Sequence, residues 1–190
     1  MANQHDQLLI CRTLDGNPEA FGELIQKYQD RLFNGMVQIV RSETEAEDIV
    51  QDACVLAFRK LETFQGKSAF FTWLYRISYN VAVSRMRRRK STVSLDGEAE
   101  VDRFQLSDDG PRPGDRLELE EQLTQLHLAM GQLSEEHRSI LVLREMQEMD
   151  YEAISEILDL PLGTVRSRLH RARSQLREHL EIIMNSRNLQ

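Results

Sequence analysis

Thr164, Arg166, Ser167, His170 and Arg171 recur at spacings that bring most of them to one side of a helix. Guanidinium and hydroxyl groups donate hydrogen bonds to base edges and phosphates, which is the chemistry of a duplex-DNA reader. A second set, Trp73, Arg76, Asn80 and Arg87, shares another helical stripe. An aromatic ring, an amide and two guanidiniums in one row suit an unpaired strand: the ring stacks on a base, the amide bonds an edge, and the arginines hold phosphates. Each set also has a plainer reading. The arginines could simply solvate an amphipathic helix, and a lone tryptophan serves as readily in helix packing.

The elements that must carry the first set are legible around it. Asp150 can cap a short helix by accepting from the unpaired N–H groups of its first turn. Ile154, Ile157 and Leu158 form that helix's apolar stripe. The pattern breaks over Asp159 to Leu162, where Pro161 excludes the helical conformation at Leu160, and Gly163-Thr164 reopens a helix. Val165, Leu169, Ala172, Leu176 and Leu180 project to one narrow face, opposite Ser167, His170, Arg171 and Ser174. This is the outline of a helix-turn-helix, whose second helix enters the major groove.

The second set needs a long helix, expected from about Phe70 to Arg89, with Phe70, Leu74, Ile77 and Val81 on its buried side. Its end, Arg85-Met-Arg-Arg-Arg-Lys90, adds positive charge to the Trp73 row. Before it, periodicity predicts a helix over Gln4–Leu14 and a second starting near Glu19. That second helix would keep Phe21, Leu24, Ile25, Tyr28, Leu32, Met36 and Val40 on one apolar side. A third is expected from about Glu43 to Leu61, with Ile49, Val50, Ala53 and Ala57 inward. After residue 115, helices are expected to about Met130, from Ser134 to Gln147, and in the helix-turn-helix.

With four prolines, nine glycines and little period-two alternation, the chain reads as all-α. The expected organisation is two small helical domains, 1–94 and 116–190, joined by a flexible acidic linker at 95–115. Charge supports this division. Between Leu95 and Glu121 ten acidic residues face three arginines, which equals the whole net charge of −7. The rest is neutral, with basic clusters at Arg85–Lys90 and Arg166–Arg173, and local field matters more than the total for phosphate binding. Cys11 and Cys54 suggest neither a disulfide framework nor a zinc site. The polar N-terminus and the lack of a run of ~20 apolar residues point to a cytoplasmic protein.

Three stretches carry a resemblance: Ala46-Glu-Asp-Ile-Val-Gln-Asp-Ala-Cys-Val-Leu-Ala-Phe-Arg-Lys-Leu61, Phe64-Gln-Gly-Lys-Ser-Ala-Phe-Phe-Thr-Trp-Leu-Tyr-Arg-Ile-Ser-Tyr-Asn80, and Tyr151 to Arg173. In this order, within about Glu19 to Leu180, they resemble the extracytoplasmic-function sigma factors of the sigma-70 family. The resemblance implies a protein that binds the core of bacterial RNA polymerase, through its β′ and β subunits, and directs it to promoter DNA. Asp48, Gln51 and Asp52 would dock on the β′ coiled coil. Phe64, Gln65, Lys67 and Ser68 would hold a base flipped from the −10 element, while Trp73, Arg76, Asn80 and Arg87 support the melted strand. Thr164, Arg166, Ser167, His170 and Arg171 would read the −35 element. It further implies an anti-sigma factor, membrane-bound in some arrangements, and neither cofactor, metal nor small-molecule substrate.

The chain departs from the family pattern at three places. Gln65 and Lys67 stand where many relatives carry Arg and an acidic or small residue. Glu148 occupies a common glycine position, and Asp150 replaces a usual serine cap. Two other functions compete. A DNA-binding regulator would explain Tyr151 to Arg173 but leave Trp73 and Asn80 idle. A nucleic-acid enzyme would need clustered acids, a phosphate loop or a nucleophile–base pair, and none is evident.

Overall fold

The computed structural model describes residues 3–93 and 113–187, with side chains at 3–89 and 121–185. Among these residues there are nine α-helices and no strand. The first module contains α1 (Gln4–Leu14), α2 (Pro18–Gln26), α3 (Gln29–Val40), α4 (Glu43–Lys60) and α5 (Phe70–Val93). The second contains α6 (Pro113–Gln132), α7 (Glu135–Leu141), α8 (Tyr151–Leu158) and α9 (Leu162–Arg187). A wider helical turn, Val142–Met146, continues α7. The expected linker lies outside the described residues except for 113–115, which open α6.

Short polar side chains start most of these helices by accepting from free N–H groups. Asn3 accepts from His5, Asn17 from Glu19, Ser42 from Glu45, Ser134 from His137 and Asp150 from Ala153. Pro18 stands in the first turn of α2, where its missing N–H costs nothing.

The single helix expected from Glu19 to Val40 is two. It breaks at Lys27-Tyr28, and the physical reason is a tertiary contact. Asp6 of α1 is buried and accepts from Lys27 Nζ and from Tyr28 Oη, both at 2.6 Å. Tyr28 also stacks on Phe71 with ring centroids 5.2 Å apart. Satisfying a buried carboxylate outweighs one continuous helical ladder. Periodicity cannot register this, because the apolar spacing runs on through the break.

The buried side of α5 also differs from expectation. Phe70 and Leu74 are buried, but Ile77 and Val81 are only half-buried, while Phe71, Tyr75, Ser78, Ala82 and Met86 are fully inside. The helix is central: α3 and α4 pack against it from its own module, and α8 from the other. A helix covered from two directions does not present one clean stripe.

The two modules therefore pack on each other through a shared apolar cluster. Polar contacts cross the join. Arg31 of α3 donates to the Gln147 side chain at 3.1 Å and to the Gln147 backbone carbonyl. Arg138 of α7 reaches the Ile39 carbonyl at 3.5 Å, and Tyr79 of α5 bonds Ser139. Gly35 sits at the join because a Cβ there would run into the Tyr75 hydroxyl and approach the Gln147 amide. The Tyr75 hydroxyl is buried and has no hydrogen-bond partner among the described residues.

Candidate nucleic-acid interface

After α4 the chain makes a tight turn at Leu61–Thr63, and Phe64 then runs extended. Gly66 takes φ +67°, the left-handed conformation that disfavours other residues. This turns residues 64–68 back over the start of α5 and encloses a cavity of about 380 Å³. Phe64, Gln65, Lys67 and Ser68 line it from the loop, and Trp73, Arg76 and Asn80 from α5. Seven of the eight residues expected to handle the strand thus share one site.

Aromatic packing sets the back wall. Phe64 lies 5.3 Å from Trp73 and 5.8 Å from Phe70, and Phe70 lies 5.7 Å from Trp73. Trp73 is half-buried: its ring is fixed by neighbours and still borders the cavity. Lys67 and Arg76 add positive charge, while Gln65 and Asn80 offer donors and acceptors to a base edge.

Arg87 is exposed but does not line this cavity. It lies two helical turns beyond Asn80, about 10 Å along the axis, so sharing a stripe did not mean sharing a site. The basic run is likewise divided. Arg85 turns toward α4 and pairs with Asp48 at 3.0 Å and Asp52 at 2.5 Å; Arg89 pairs with Glu45 at 3.2 Å. Asp48, Gln51 and Asp52 share an exposed face of α4, which continues into exposed Val55 and Phe58.

The cavity has other walls that sequence reasoning missed. Lys60 and Thr63 close it from the end of α4, and Ile77 from α5. Their places between named motifs were the only available signal. Glu156 closes it from α8 of the other module, for which the sequence carried no signal.

The helix-turn-helix forms as its sequence requires. Asp150 Oδ1 accepts from the Ala153 N–H at 2.7 Å. Asp159 ends α8 with φ +52°, and the Ser155 hydroxyl donates to the Leu160 carbonyl, closing the turn before Pro161. Val165, Leu169 and Ala172 are buried, whereas Arg166, Ser167, His170 and Arg171 are exposed and Thr164 is half-buried beside them. Arg166 lies over the Tyr151 ring at 5.8 Å, which steadies its stem. Two neighbouring arginines serve packing: Arg168 pairs with Glu136 at 3.2 Å and Arg173 with Glu145 at 2.6 Å. Glu148, before this unit, has φ +51°, which is why glycine suits the position.

Among the described residues no group of His, Cys, Asp and Glu is arranged to hold a metal ion, and no helix is long and apolar enough to cross a membrane.

Comparison with known proteins agrees with both halves. Residues 24–92 match the family Sigma-70 region 2, and residues 123–176 match Sigma-70, region 4. The chain is 35% identical to the RNA polymerase sigma-H factor of Pseudomonas aeruginosa, covering 97% of this chain and 98% of that protein. It is 36% identical to the ECF RNA polymerase sigma-E factor of Escherichia coli K12, over 90% and 92% of the two chains. Among solved structures, the sigma factor RpoE of Bartonella quintana, in complex with the anti-sigma factor NepR, superposes with a TM-score of 0.72. It has 26% identity and covers 85% of this chain and 97% of that one. CnrH, in complex with the cytosolic domain of CnrY, gives a TM-score of 0.67 at 26% identity, over 94% and 99% of the two chains. The 64–68 loop with α5 and the helix-turn-helix thus fall within two sigma-70 regions, and the chain belongs to the extracytoplasmic-function sigma factors of the sigma-70 family, the initiation factors of bacterial transcription.

Proposed function

We propose that this chain binds core RNA polymerase and selects promoters by two contacts. The exposed face of α9, with Thr164, Arg166, Ser167, His170 and Arg171, reads the −35 element in the major groove. A base flipped from the −10 element enters the cavity between the 64–68 loop and α5. Unstacking a base costs a few kcal/mol, and a pre-shaped pocket with aromatic and polar walls offsets that cost. Trp73, Arg76 and Asn80 support the melted strand, with Arg87 further along it. Asp48, Gln51 and Asp52 dock on the β′ coiled coil, with the rest of the chain reaching the β subunit. The phosphodiester chemistry stays with the polymerase.

The observation that carries this reading is the cavity itself, where ring, amide, hydroxyl and cationic groups from two separate motifs stand together. One structural relative is a sigma factor bound to an anti-sigma factor, and another, CnrH, is bound to the cytosolic domain of CnrY, so an anti-sigma factor is a proposed partner here as well. The test is initiation. Chain and core polymerase, mixed with genomic fragments, should yield transcripts that start downstream of a shared bipartite sequence. Tight duplex binding by the chain alone, with no stable complex with core, would overturn the proposal.

A further inference from the structure

The arginines of α9 divide by what holds them. Arg168 pairs with Glu136 at 3.2 Å and Arg173 with Glu145 at 2.6 Å, so both are tied to α7 and the wide turn that continues it. Arg166 is exposed and has no carboxylate partner among the described residues. Its guanidinium lies over the Tyr151 ring instead, 5.8 Å from the centroid. The difference is chemical. A carboxylate neutralises a guanidinium and occupies its N–H groups. The negative face of an aromatic ring attracts the cation and leaves all its N–H donors free. A ring is thus the support that suits an arginine kept for another ligand.

The ring is itself fixed. Tyr151 is the first residue of α8, directly after the Asp150 cap, and is half-buried against the apolar cluster. Arg144 adds a second hold. Its guanidinium lies 5.1 Å from the same ring centroid, while its Nη1 donates to the Met149 carbonyl at 2.7 Å. Arg144 stands in the wide turn Val142–Met146, where the Gln147 N–H donates to the Val142 carbonyl five residues back at 2.9 Å. Turns of this π type recur at functional sites. The segment from Arg144 to Tyr151 is therefore closed by its own contacts, and it presents the ring to α9 as a shelf.

We infer that Tyr151 is a positioning residue for duplex recognition: its ring holds the Arg166 guanidinium in place for DNA. The inference rests on the reading of the exposed α9 face as the −35 reader. A free arginine loses rotamer freedom when an interface immobilises it, and an arginine already held loses less. Removal of the ring should therefore act on DNA binding through Arg166 and through nothing else.

The test uses the full chain bound to core polymerase. Wild type selects duplexes from a random-sequence pool, and the affinity of each variant for the selected duplex is then measured. Arg166→Ala should lose about tenfold. Tyr151→Leu should lose about fivefold, whereas Tyr151→Phe keeps the ring and should stay within about twofold of wild type. The double variant Tyr151→Leu/Arg166→Ala should bind no more weakly than Arg166→Ala, because the ring has nothing left to hold. Should Tyr151→Leu fail to fold by thermal melt, Tyr151→Met takes its place in both measurements. Undiminished binding by Tyr151→Leu would overturn the inference. So would a further loss in the double variant, which marks a direct contact or a damaged fold. A loss with Tyr151→Phe would assign the effect to the hydroxyl and overturn it as well. Unchanged binding by Arg166→Ala, or a pool in which no duplex is enriched, is a separate result: it removes the α9 face as the reader, and the inference with it.

Discussion

Arg85 of α5 holds Asp52 of α4 at 2.5 Å, so an acid proposed to meet the polymerase is already engaged within the chain. Both side chains remain partly exposed, at 31% and 53%, and surface pairs of this kind contribute only about 0–1 kcal/mol. Asp52→Asn should therefore leave the melting temperature nearly unchanged. Its affinity for core polymerase should fall by roughly 1 kcal/mol, about fivefold, because an interface charge is lost. Equal loss of stability and core binding would count against a docking role.

Arg171→Ala should weaken recognition of the −35 duplex by about 1–3 kcal/mol and leave core binding intact. Binding of the holoenzyme to promoter fragments with matched and altered −35 sequences checks this. A parallel loss of core binding would point to misfolding.

Asn80→Ala should lower the yield of open complex more than the binding of closed duplex. Asn80 lines the cavity and is exposed, so its loss costs the fold little. Permanganate reactivity of unpaired thymines reports the melted strand, and an unchanged yield would remove Asn80 from the site.

His127 carries a pH dependence. Burial lowers its pKa below the ordinary 6.5; Arg41 acts the same way, and a backbone hydrogen bond at Leu123 opposes them. The unfolded chain therefore takes up this proton first as pH falls. Stability from the neutral imidazole is present above about pH 6.5 and is lost as pH drops through the folded value. Urea melts of the wild type from pH 8 down to 5 should show this loss setting in below about pH 6.5, and His127→Gln should flatten it.

Glu148→Gly should stabilise the chain by roughly 0.5–1 kcal/mol, because φ +51° strains any residue with a Cβ. Glu148 is exposed and the change removes no buried contact. Glu148→Ala keeps the strain and should be close to neutral in the same melts.

The sequence was most legible where local chemistry decides local structure. Asp150, Pro161 and the stripe Val165-Leu169-Ala172 specify the helix-turn-helix without outside help, and they form as read. Legibility failed where a distant residue intervenes. Asp6 breaks the helix at Lys27-Tyr28 from a position 21 residues away, and α8 covers α5 so that its buried side turns toward Tyr75 and Ala82. The candidate strand site followed the same division. Phe64 to Asn80 were readable because they are near in sequence, whereas Glu156 comes from 88 residues beyond Ser68. Arg85 illustrates the limit of charge runs: it pairs with Asp48 and Asp52, Arg89 pairs with Glu45, and Arg87 between them is exposed.

The Tyr75 hydroxyl gives the join between the modules a built-in flaw. It is fully buried against Gly35 and Gln147 with no hydrogen-bond partner among the described residues, and burial drives its pKa far above the ordinary range. A buried hydroxyl without a partner costs roughly 1–3 kcal/mol. The join thus carries a small, fixed penalty, comparable to one or two hydrogen bonds, at a residue remote from the surfaces proposed to meet DNA. Tyr75→Phe should remove that penalty and tighten the two modules against each other without altering any exposed surface.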